Sequence, residues 1–141
     1  MNVLIDTNIA LDVMLNRVEF YSDSAQILLM SEKRIIDGYI SASAITDIYY
    51  FIQKEKKDKT VTLSHIKALV KMIHIATVTN NEVTQAIALE WDDFEDSIQY
   101  TVGESINAQY IITRNPKDYE ASTIPVIMPA KFIQLVKKVN N

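Results

Sequence analysis

Four aspartates lie where short apolar runs end or where helical patterns begin. Asp6 directly follows the apolar run 3–5, and Asp118 lies shortly beyond the run 110–112. Asp47 and Asp96 fall near the starts of two predicted helices. If the fold brings these side chains into one cleft, their like charges repel strongly unless a cation lies between them, so the pattern points to a carboxylate metal site.

Each aspartate also has a purely structural interpretation. Asp6 suits a helix cap after a strand, Asp96 suits the first turn of a helix, and Asp118 suits a turn stabilised by its own side chain. Asp47 lies in the strongly apolar segment 43–52, most of whose circumference we expect to be buried. A carboxylate there is costly unless its charge is compensated, and a structural ion pair and a metal ion are equally good candidates.

The sequence restricts the type of metal by what it lacks. It contains no cysteine, and its two histidines, His65 and His74, lie away from all four aspartates. Hard carboxylate oxygens favour Mg²⁺ or Mn²⁺ over Zn²⁺. Such ions suit phosphodiester hydrolysis, because they activate water, hold the phosphate and stabilise the leaving oxygen without a protein nucleophile.

Polar residues after the run 110–112 could support such a site. Thr113 and Asn115 could orient a water molecule or a carboxylate. Arg114 lies between them and could contact a phosphate. All three are equally suited to satisfying backbone groups at the end of a strand.

Strand-like runs alternate with helical patterns along the chain. The runs that predict strands lie at 3–5, 38–40, 73–78, 110–112 and 125–127. The patterns that predict helices lie at 9–15, 21–30, 44–54, 63–70, 82–91, 94–108 and 129–136. The basic run 54–59 reads as a solvated connection or a frayed helix end.

This alternation predicts a single α/β domain over residues 1–141, with a central, mostly parallel sheet of about four to five short strands flanked by α-helices. Ligands in such sheets gather at the carboxyl ends of the strands. The predicted strand ends include Asp6 and the 113–115 turn. We therefore expect the site at that edge of the sheet.

Composition adds expectations about partners and location. The 141 residues carry 14 Lys and Arg against 18 Asp and Glu, a net charge of −4, which argues against a broad basic face for nucleic acid. That argument weakens if several acids share one cleft, because bound cations would neutralise them there. No secretory signal is apparent and no apolar stretch reaches the roughly 18 residues that span a bilayer, so a cytoplasmic protein with no membrane contact is expected.

Four segments together resemble the PIN-domain ribonucleases, and within that family the VapC-like toxins of bacterial toxin–antitoxin pairs. They are LIDTN at 4–8, SAITDIYYF at 43–51, DFEDSIQ at 93–99 and YIITRNPKDY at 110–119. The motif DTN alone is weak. The ordered set is specific, because strands and helices follow the expected order over nearly the whole chain.

The resemblance implies a PIN-like fold and a divalent-metal-dependent endoribonuclease with Mg²⁺ or Mn²⁺ as cofactor. By motif matching, the catalytic and metal-binding acids are Asp6, Asp47, Asp96 and Asp118. Asn8 and the turn Thr113-Arg114-Asn115 match the supporting polar residues. Asp47 stands where glutamate is more usual, so its shorter side chain leaves open whether it binds metal directly or through water.

The toxin branch also implies two protein partners. One is a small cognate antitoxin that covers the site and often inserts a basic side chain among the acids. The other is a second copy of the chain in a homodimer. Tyr49, Tyr50 and Phe51 could form the dimer face, and filling the core is an equally good interpretation of these rings. Asp93 precedes Asp96 by one helical turn and is interpreted as a helix cap.

Two other functions fit parts of the pattern. A non-catalytic PIN-like module that binds RNA or protein would be expected to lack some of the acids, and all four are present. A phosphoryl-transfer protein with an aspartyl nucleophile also places Asp after a first strand. Such proteins need a second acid beside it and a later Lys, whereas this sequence has Thr7 beside Asp6 and Arg114 in the later turn.

Overall fold

A computed structural model of the chain describes residues 1–140; residue 141, included in the predicted domain, lies outside the described residues. Within residues 1–140, five strands form one sheet in the order β3-β2-β1-β4-β5, with every neighbouring pair parallel. The strands are β1 (Asn2–Ile5), β2 (Asp37–Ser41), β3 (His74–Ala76), β4 (Tyr110–Ile112) and β5 (Val126–Ile127). The predicted α/β class is confirmed.

Helices connect these strands, and they lie close to the predicted positions. They are α1 (Thr7–Met14), α2 (Val18–Glu32), α3 (Ala42–Lys56), α4 (Lys59–Met72), α5 (Asn80–Leu89), α6 (Phe94–Ser105) and α7 (Pro129–Val139). A short 3₁₀ helix, Pro116–Tyr119, follows β4. Because the strands are parallel, the chain must return between them, so helices that follow strands begin at the carboxyl edge of the sheet.

The sheet is covered on both faces because its strands alternate buried side chains between two cores. Val3 and Ile5 pack into a cluster with α1 to α4 and α7. Leu4, which points the other way, packs into a second cluster with α5, α6 and the 3₁₀ helix. Short strands that are apolar on both sides are typical of parallel sheets with helices on both faces.

Three polar residues start helices at the carboxyl edge of the sheet. Asp6 caps α1 by accepting the Thr7 backbone N–H at 2.7 Å, and Ser41 caps α3 by accepting the Ala44 N–H at 3.2 Å. Asp93 caps α6 by accepting the Asp96 N–H at 3.1 Å, as interpreted from the sequence. The helix starts that carry three of the predicted site acids are therefore fixed by side-chain caps.

Two expectations about α3 need correction. Its buried side is the narrow row Ala44, Ile48 and Ile52, while the side chains of Tyr50 and Phe51 are 60% and 44% exposed, so those two rings do not fill the core. The connection between α3 and α4 is shorter than the run 54–59 predicted. α3 extends to Lys56 and α4 begins at Lys59, because Lys57 adopts a left-handed conformation that ends α3 and Asp58 caps α4.

Within residues 1–140, no helix is both long enough and apolar enough to cross a membrane.

Candidate functional site

Asp6 lies at the centre of the carboxyl edge of the sheet. Pairing of Ile5 with Ile112 places it beside Thr113, the first residue after β4. The residue is 7% exposed, and its carboxylate accepts the Thr7 N–H and the Thr113 hydroxyl, each at 2.7 Å. Burial raises the pKa of Asp6, while the bonds from Thr113 and Thr7 act in the opposite direction.

The sheet topology explains why this edge collects polar groups. From β1 the chain passes to β2 on one side, while β4 lies on the other, so the strand order reverses between β1 and β4. Open parallel sheets leave a crevice outside their carboxyl ends at such a reversal. Asp6 and Thr113 follow the two strands that flank it.

Asp96 and Asp118 lie near enough to Asp6 for their charges to act on one another, and they come from two different elements. Asp96 lies in the first turn of α6, and Asp118 lies in the 3₁₀ helix after β4. Burial raises the pKa of Asp96 to about 7, and the charges of Asp93, Asp6 and Asp118 add to the shift. The charge of Asp118 also raises the pKa of Asp6. The structure therefore brings these three predicted acids together.

Asp47 reaches the same group of acids through Glu95. Asp47 is half-buried on α3, and its carboxyl hydrogen-bonds that of Glu95 in the first turn of α6. Desolvation, this hydrogen bond and the charges of Asp47, Asp93 and Asp6 raise the pKa of Glu95 to about 7. Among the ion pairs of residues 1–140, none involves Asp47, so a structural ion pair does not explain it.

Thr113 and Asn8 support the carboxylate of Asp6. The buried Thr113 hydroxyl donates to Asp6 and accepts the Asn115 backbone N–H at 3.0 Å. The Asn8 amide nitrogen is 3.4 Å from both Asp6 Oδ2 and Thr113 Oγ1. Its other end, Oδ1, is a buried acceptor without a hydrogen-bond partner. Asn115 thus contributes its backbone to this arrangement rather than a side-chain cap on the 3₁₀ helix.

Arg114 does not join this group, although the sequence placed it among the supporting residues. Its Nε and Nη2 donate to the two oxygens of Asp12 at 2.7 and 3.0 Å. The guanidinium carbon also lies 3.9 Å from the ring centre of Phe20. The side chain is thereby directed to Asp12 on α1 and Phe20 on α2, and it binds none of the four predicted site acids and no strand-end backbone group.

An open cleft of about 380 Å³ adjoins Asp96 and Asp118. Its lining includes Trp91, Lys117 and the carboxylates of Glu90, Asp92, Asp93, Asp96, Asp118 and Glu120. Trp91 packs against the rings of Tyr100 and Tyr119, at centroid distances of 5.0 and 6.4 Å. Burial, with the charges of nearby acids, raises the pKa of Tyr119 well above its usual value. We call these three rings the aromatic wall; Tyr100 and Tyr119 belong to the second core and Trp91 packs against it, so apolar packing lies directly behind the cleft.

Sequence reasoning missed Glu95, Asp12 and the aromatic wall. Glu95 is adjacent to Asp96 in the segment DFEDSIQ, which was a usable signal because helix starts at this edge were expected to carry acids. Only a weak indication in the sequence pointed to the burial of Asp12, namely that it is a charged residue within the apolar pattern of α1. Trp91 and Tyr119 could not be distinguished from ordinary core aromatics.

The donor set fits a hard divalent cation. Oxygen ligands converge from four elements, their mutual repulsion helps raise two pKa values to about 7, and the unpartnered Asn8 Oδ1 lies beside Asp6. In the part of the chain that the structure describes, no group of three or more acids or histidines is arranged to hold an ion as it stands. Binding an ion would therefore require the side chains to draw closer together.

Known proteins resemble this chain in both sequence and fold. A sequence model described as the PIN domain matches residues 2–117. The chain is 28% identical over 137 residues to Ribonuclease VapC1 from Aquifex aeolicus (strain VF5), covering 94% of this chain and 93% of that protein. The matched family domain contains Asp6, Asp47 and Asp96, and it ends one residue before Asp118.

Two solved structures share the fold. One is VapBC2 from Rickettsia felis bound to a DNA fragment from their promoter, with a TM-score of 0.72 and 16% identity over 91% of this chain and 98% of that chain. The other is Mycobacterium tuberculosis VapC20, a sarcin-ricin loop cleaving toxin, with a TM-score of 0.67 and 10% identity over 84% of this chain and 94% of that chain.

Proposed function

The chain belongs to the PIN domain family, and from that premise we propose that it is a divalent-metal-dependent endoribonuclease, the toxin of a toxin–antitoxin pair. The observation that carries the proposal is the convergence of Asp6, Asp96 and Asp118, whose charges act on one another at the carboxyl edge of the sheet. The similarity to a named ribonuclease over 94% of the chain supports the same reaction.

Each acid has a distinct role in this proposal. Asp6 is the fixed ligand, because hydrogen bonds from Thr7 and Thr113 hold its carboxylate in place. Asp96 and Asp118 approach from the cleft side, and Asp47 completes the set from α3. A bound Mg²⁺ or Mn²⁺ would supply water activation and stabilisation of the leaving oxygen. Without it, the acids repel a phosphate backbone.

The cleft provides access for the substrate. It opens directly onto Asp96 and Asp118, and Lys117 on its wall can contact a phosphate oxygen of the RNA. Trp91 lines the inner side of the cleft and packs against Tyr119 of the second core. The protein groups therefore position the chain and hold the ligands, and no side chain needs to act as a nucleophile.

Metal-dependent cleavage tests this function. Purified protein is expected to cut single-stranded or structured RNA internally with Mg²⁺ or Mn²⁺ present, and to lose that activity when EDTA removes the ion. Fragment lengths on denaturing gels distinguish internal cuts from trimming at the ends. Binding of RNA without cleavage in any divalent metal would instead support the non-catalytic module.

We infer that an antitoxin covers the acidic cleft and that the pair acts in the cytoplasm. One structural neighbour is a toxin–antitoxin complex from Klebsiella pneumoniae. The cleft in this chain presents six carboxylates against one lysine, which suits the basic side chain of an inhibitor. The gene next to this one is the first place to look for that partner.

We also propose a homodimer that uses the exposed rings on α3. Tyr50 and Phe51 pack edge to face at 5.5 Å and are largely exposed, with Tyr49 beside them. Light scattering after size exclusion should give a dimer mass at micromolar concentration. Phe51→Glu is expected to give a monomer, because a charge would be buried in the interface. A wild-type monomer at that concentration would contradict the proposal.

Trp91 should report metal binding directly, since it is the chain's single tryptophan and lines the cleft with Asp96 and Asp118. Paramagnetic Mn²⁺ is expected to quench its fluorescence in a saturable titration. Asp96→Asn should move the midpoint to at least about tenfold higher Mn²⁺, because loss of a ligand weakens the site. Asp37→Asn is the matched control, since Asp37 begins β2 at the opposite edge of the sheet. Equal midpoints for all three proteins would argue against this site.

A further inference from the structure

Asp12 is a fully buried carboxylate that the proposed mechanism does not use. It lies on α1, is 0% exposed, and accepts hydrogen bonds from four donor groups. Two come from Arg114, at 2.7 and 3.0 Å, one from the Ser24 hydroxyl at 2.9 Å, and one from Arg17 at 3.5 Å. Helices α1 and α2 and the turn after β4 therefore meet at this one carboxylate.

Stability alone does not account for such an arrangement. Removing a carboxylate and a guanidinium from water is costly, and well-packed apolar residues often stabilise a fold as well as a buried ion pair does. The ion pair also fixes the orientation of the Arg114 side chain. The guanidinium fork of Arg114 meets both oxygens of Asp12, so its position and its rotation are both fixed.

Arg114 is adjacent to Thr113, and Asp12 lies on the helix that Asp6 caps. Helix α1 and the turn after β4 are consequently joined at two points. The first is at Thr113, whose hydroxyl donates to Asp6 at 2.7 Å and lies 3.4 Å from the Asn8 amide nitrogen. The second is the bond pair from Arg114 to Asp12. The two aspartates are separated by about 9 Å along α1, given a rise of 1.5 Å per residue. If the turn after β4 were attached to α1 at one point only, it could rotate about that point. Attachment at two points fixes its orientation.

We propose that Asp12 and Arg114 are positioning residues of the site: their ion pair orients the turn after β4, and with it Thr113 and Asp118, relative to Asp6. This inference rests on the proposed nuclease function. The stacking of Arg114 on the Phe20 ring of α2 supports the role, because it restrains the guanidinium at a second contact besides Asp12. Two of the guanidinium nitrogens are occupied and its side chain is 18% exposed, which leaves little of it available to a phosphate.

The decisive variant replaces the polar cluster with an apolar one: Asp12→Leu, Ser24→Ala and Arg114→Met together. It should fold with a thermal midpoint close to wild type, because no buried charge is left unpaired. If the ion pair positions the site, kcat is expected to fall about 10- to 100-fold with little change in KM for RNA, since small misplacements of reacting groups are costly. The kcat of Arg114→Lys should lie between those of wild type and the triple variant, because lysine keeps the charge but lacks the planar guanidinium that meets both oxygens of Asp12.

Different outcomes overturn the inference in different ways. If the triple variant had both the thermal stability and the kcat of wild type, the ion pair would be only structural. A raised KM with unchanged kcat would make Arg114 a substrate contact instead. Val136→Ala on α7, which carries no site residue, controls for stability loss by itself. All rates are compared well below the lowest unfolding midpoint.

A double-mutant cycle tests the route through Thr113. If Arg114 acts by placing Thr113, then Arg114→Met should cost much less in a Thr113→Val background than in wild type, because the bond it positions is already lost. If the losses in kcat from the two substitutions were fully additive, Arg114 would not act through Thr113.

Calorimetric Mn²⁺ binding separates this inference from the proposed function. The triple variant is expected to bind Mn²⁺ about 10- to 100-fold more weakly than wild type, as for other groups that orient metal ligands. If wild type binds Mn²⁺ but cuts no RNA, the proposed function fails while the weakened binding still supports positioning. Equal Mn²⁺ affinity for both proteins would overturn the positioning role whether or not RNA is cut.

Discussion

Asp6→Asn is expected to lower RNA cleavage by about 1,000-fold or more, because losing a metal ligand removes several kcal/mol of transition-state stabilisation and each 1.36 kcal/mol is tenfold in rate. Asp6 should have the largest effect of the four acids. It is the most buried of them, and hydrogen bonds from Thr7 and Thr113 fix both of its oxygens.

The fold should survive this substitution. Asparagine has the same shape, its oxygen can still accept the Thr7 N–H, and the rotating Thr113 hydroxyl can accept from the new amide. Because burial raises the pKa of Asp6, removal of its charge should also stabilise the metal-free protein at pH 8. A variant that is more stable and far less active would exclude unfolding as the cause.

Initial cleavage rates in Mg²⁺, with circular dichroism as the check on folding, measure the effect. Asp37→Asn removes a carboxylate from the opposite edge of the sheet and should cleave at the wild-type rate. Equal cleavage by wild type and Asp6→Asn would contradict the assignment of this edge as the active site.

The second large effect is a loss of stability with rising pH in the absence of metal. The pKa of Asp96 rises from 3.8 to about 7 in the folded protein. The pKa of Glu95 rises from 4.5 to about 7. The folded state therefore binds more protons than the unfolded state between about pH 4 and pH 7, so stability falls as pH rises through that window and levels off above it.

Thermal unfolding in EDTA at pH 5 and pH 8 measures this fall, with the higher midpoint expected at pH 5. Mg²⁺ at about 100 times its dissociation constant should add about 2.7 kcal/mol at pH 8, because it binds only the folded state. Glu95→Gln combined with Asp96→Asn should flatten the pH dependence, and Asp37→Asn should not. A wild-type midpoint that does not change between the two pH values would mean that these acids do not share one cleft.

The fold was predictable because its signals are local. Runs such as 3–5 and 110–112 are buried on both faces of a parallel sheet, so they read as short continuous apolar segments. Caps such as Asp6 and Asp93 follow from the same local logic, since Asp accepts the free N–H groups of a helix start. The convergence of predicted acids then follows from the rule that ligands lie at the carboxyl edge.

The contacts that were not predicted join residues far apart in the sequence. Arg114 binds Asp12 across 102 residues, and no local pattern names the partner of a buried guanidinium. The contact between Asp47 and Glu95 depends on how α3 and α6 approach one another. Burial on α3 was overestimated because aromatic residues such as Tyr50 and Phe51 have the same composition signal in a core and on an exposed face.

The strand order has a consequence for protein synthesis. β1 is made first, but its neighbour β4 follows more than a hundred residues later, and the Asp6 backbone N–H bonds the Ile112 carbonyl at 3.0 Å. A ribosome-bound chain ending at residue 109 already contains Asp6, Asp47 and Asp96, yet it has neither the strand nor the turn that fixes Asp6. Because non-local pairing must wait for the distant segment to emerge, Asp6 gains its β4 neighbour and the Thr113 hydrogen bond only after residue 113 has left the ribosome. A shorter nascent chain therefore lacks the hydrogen bond that holds the Asp6 carboxylate at the carboxyl edge of the sheet.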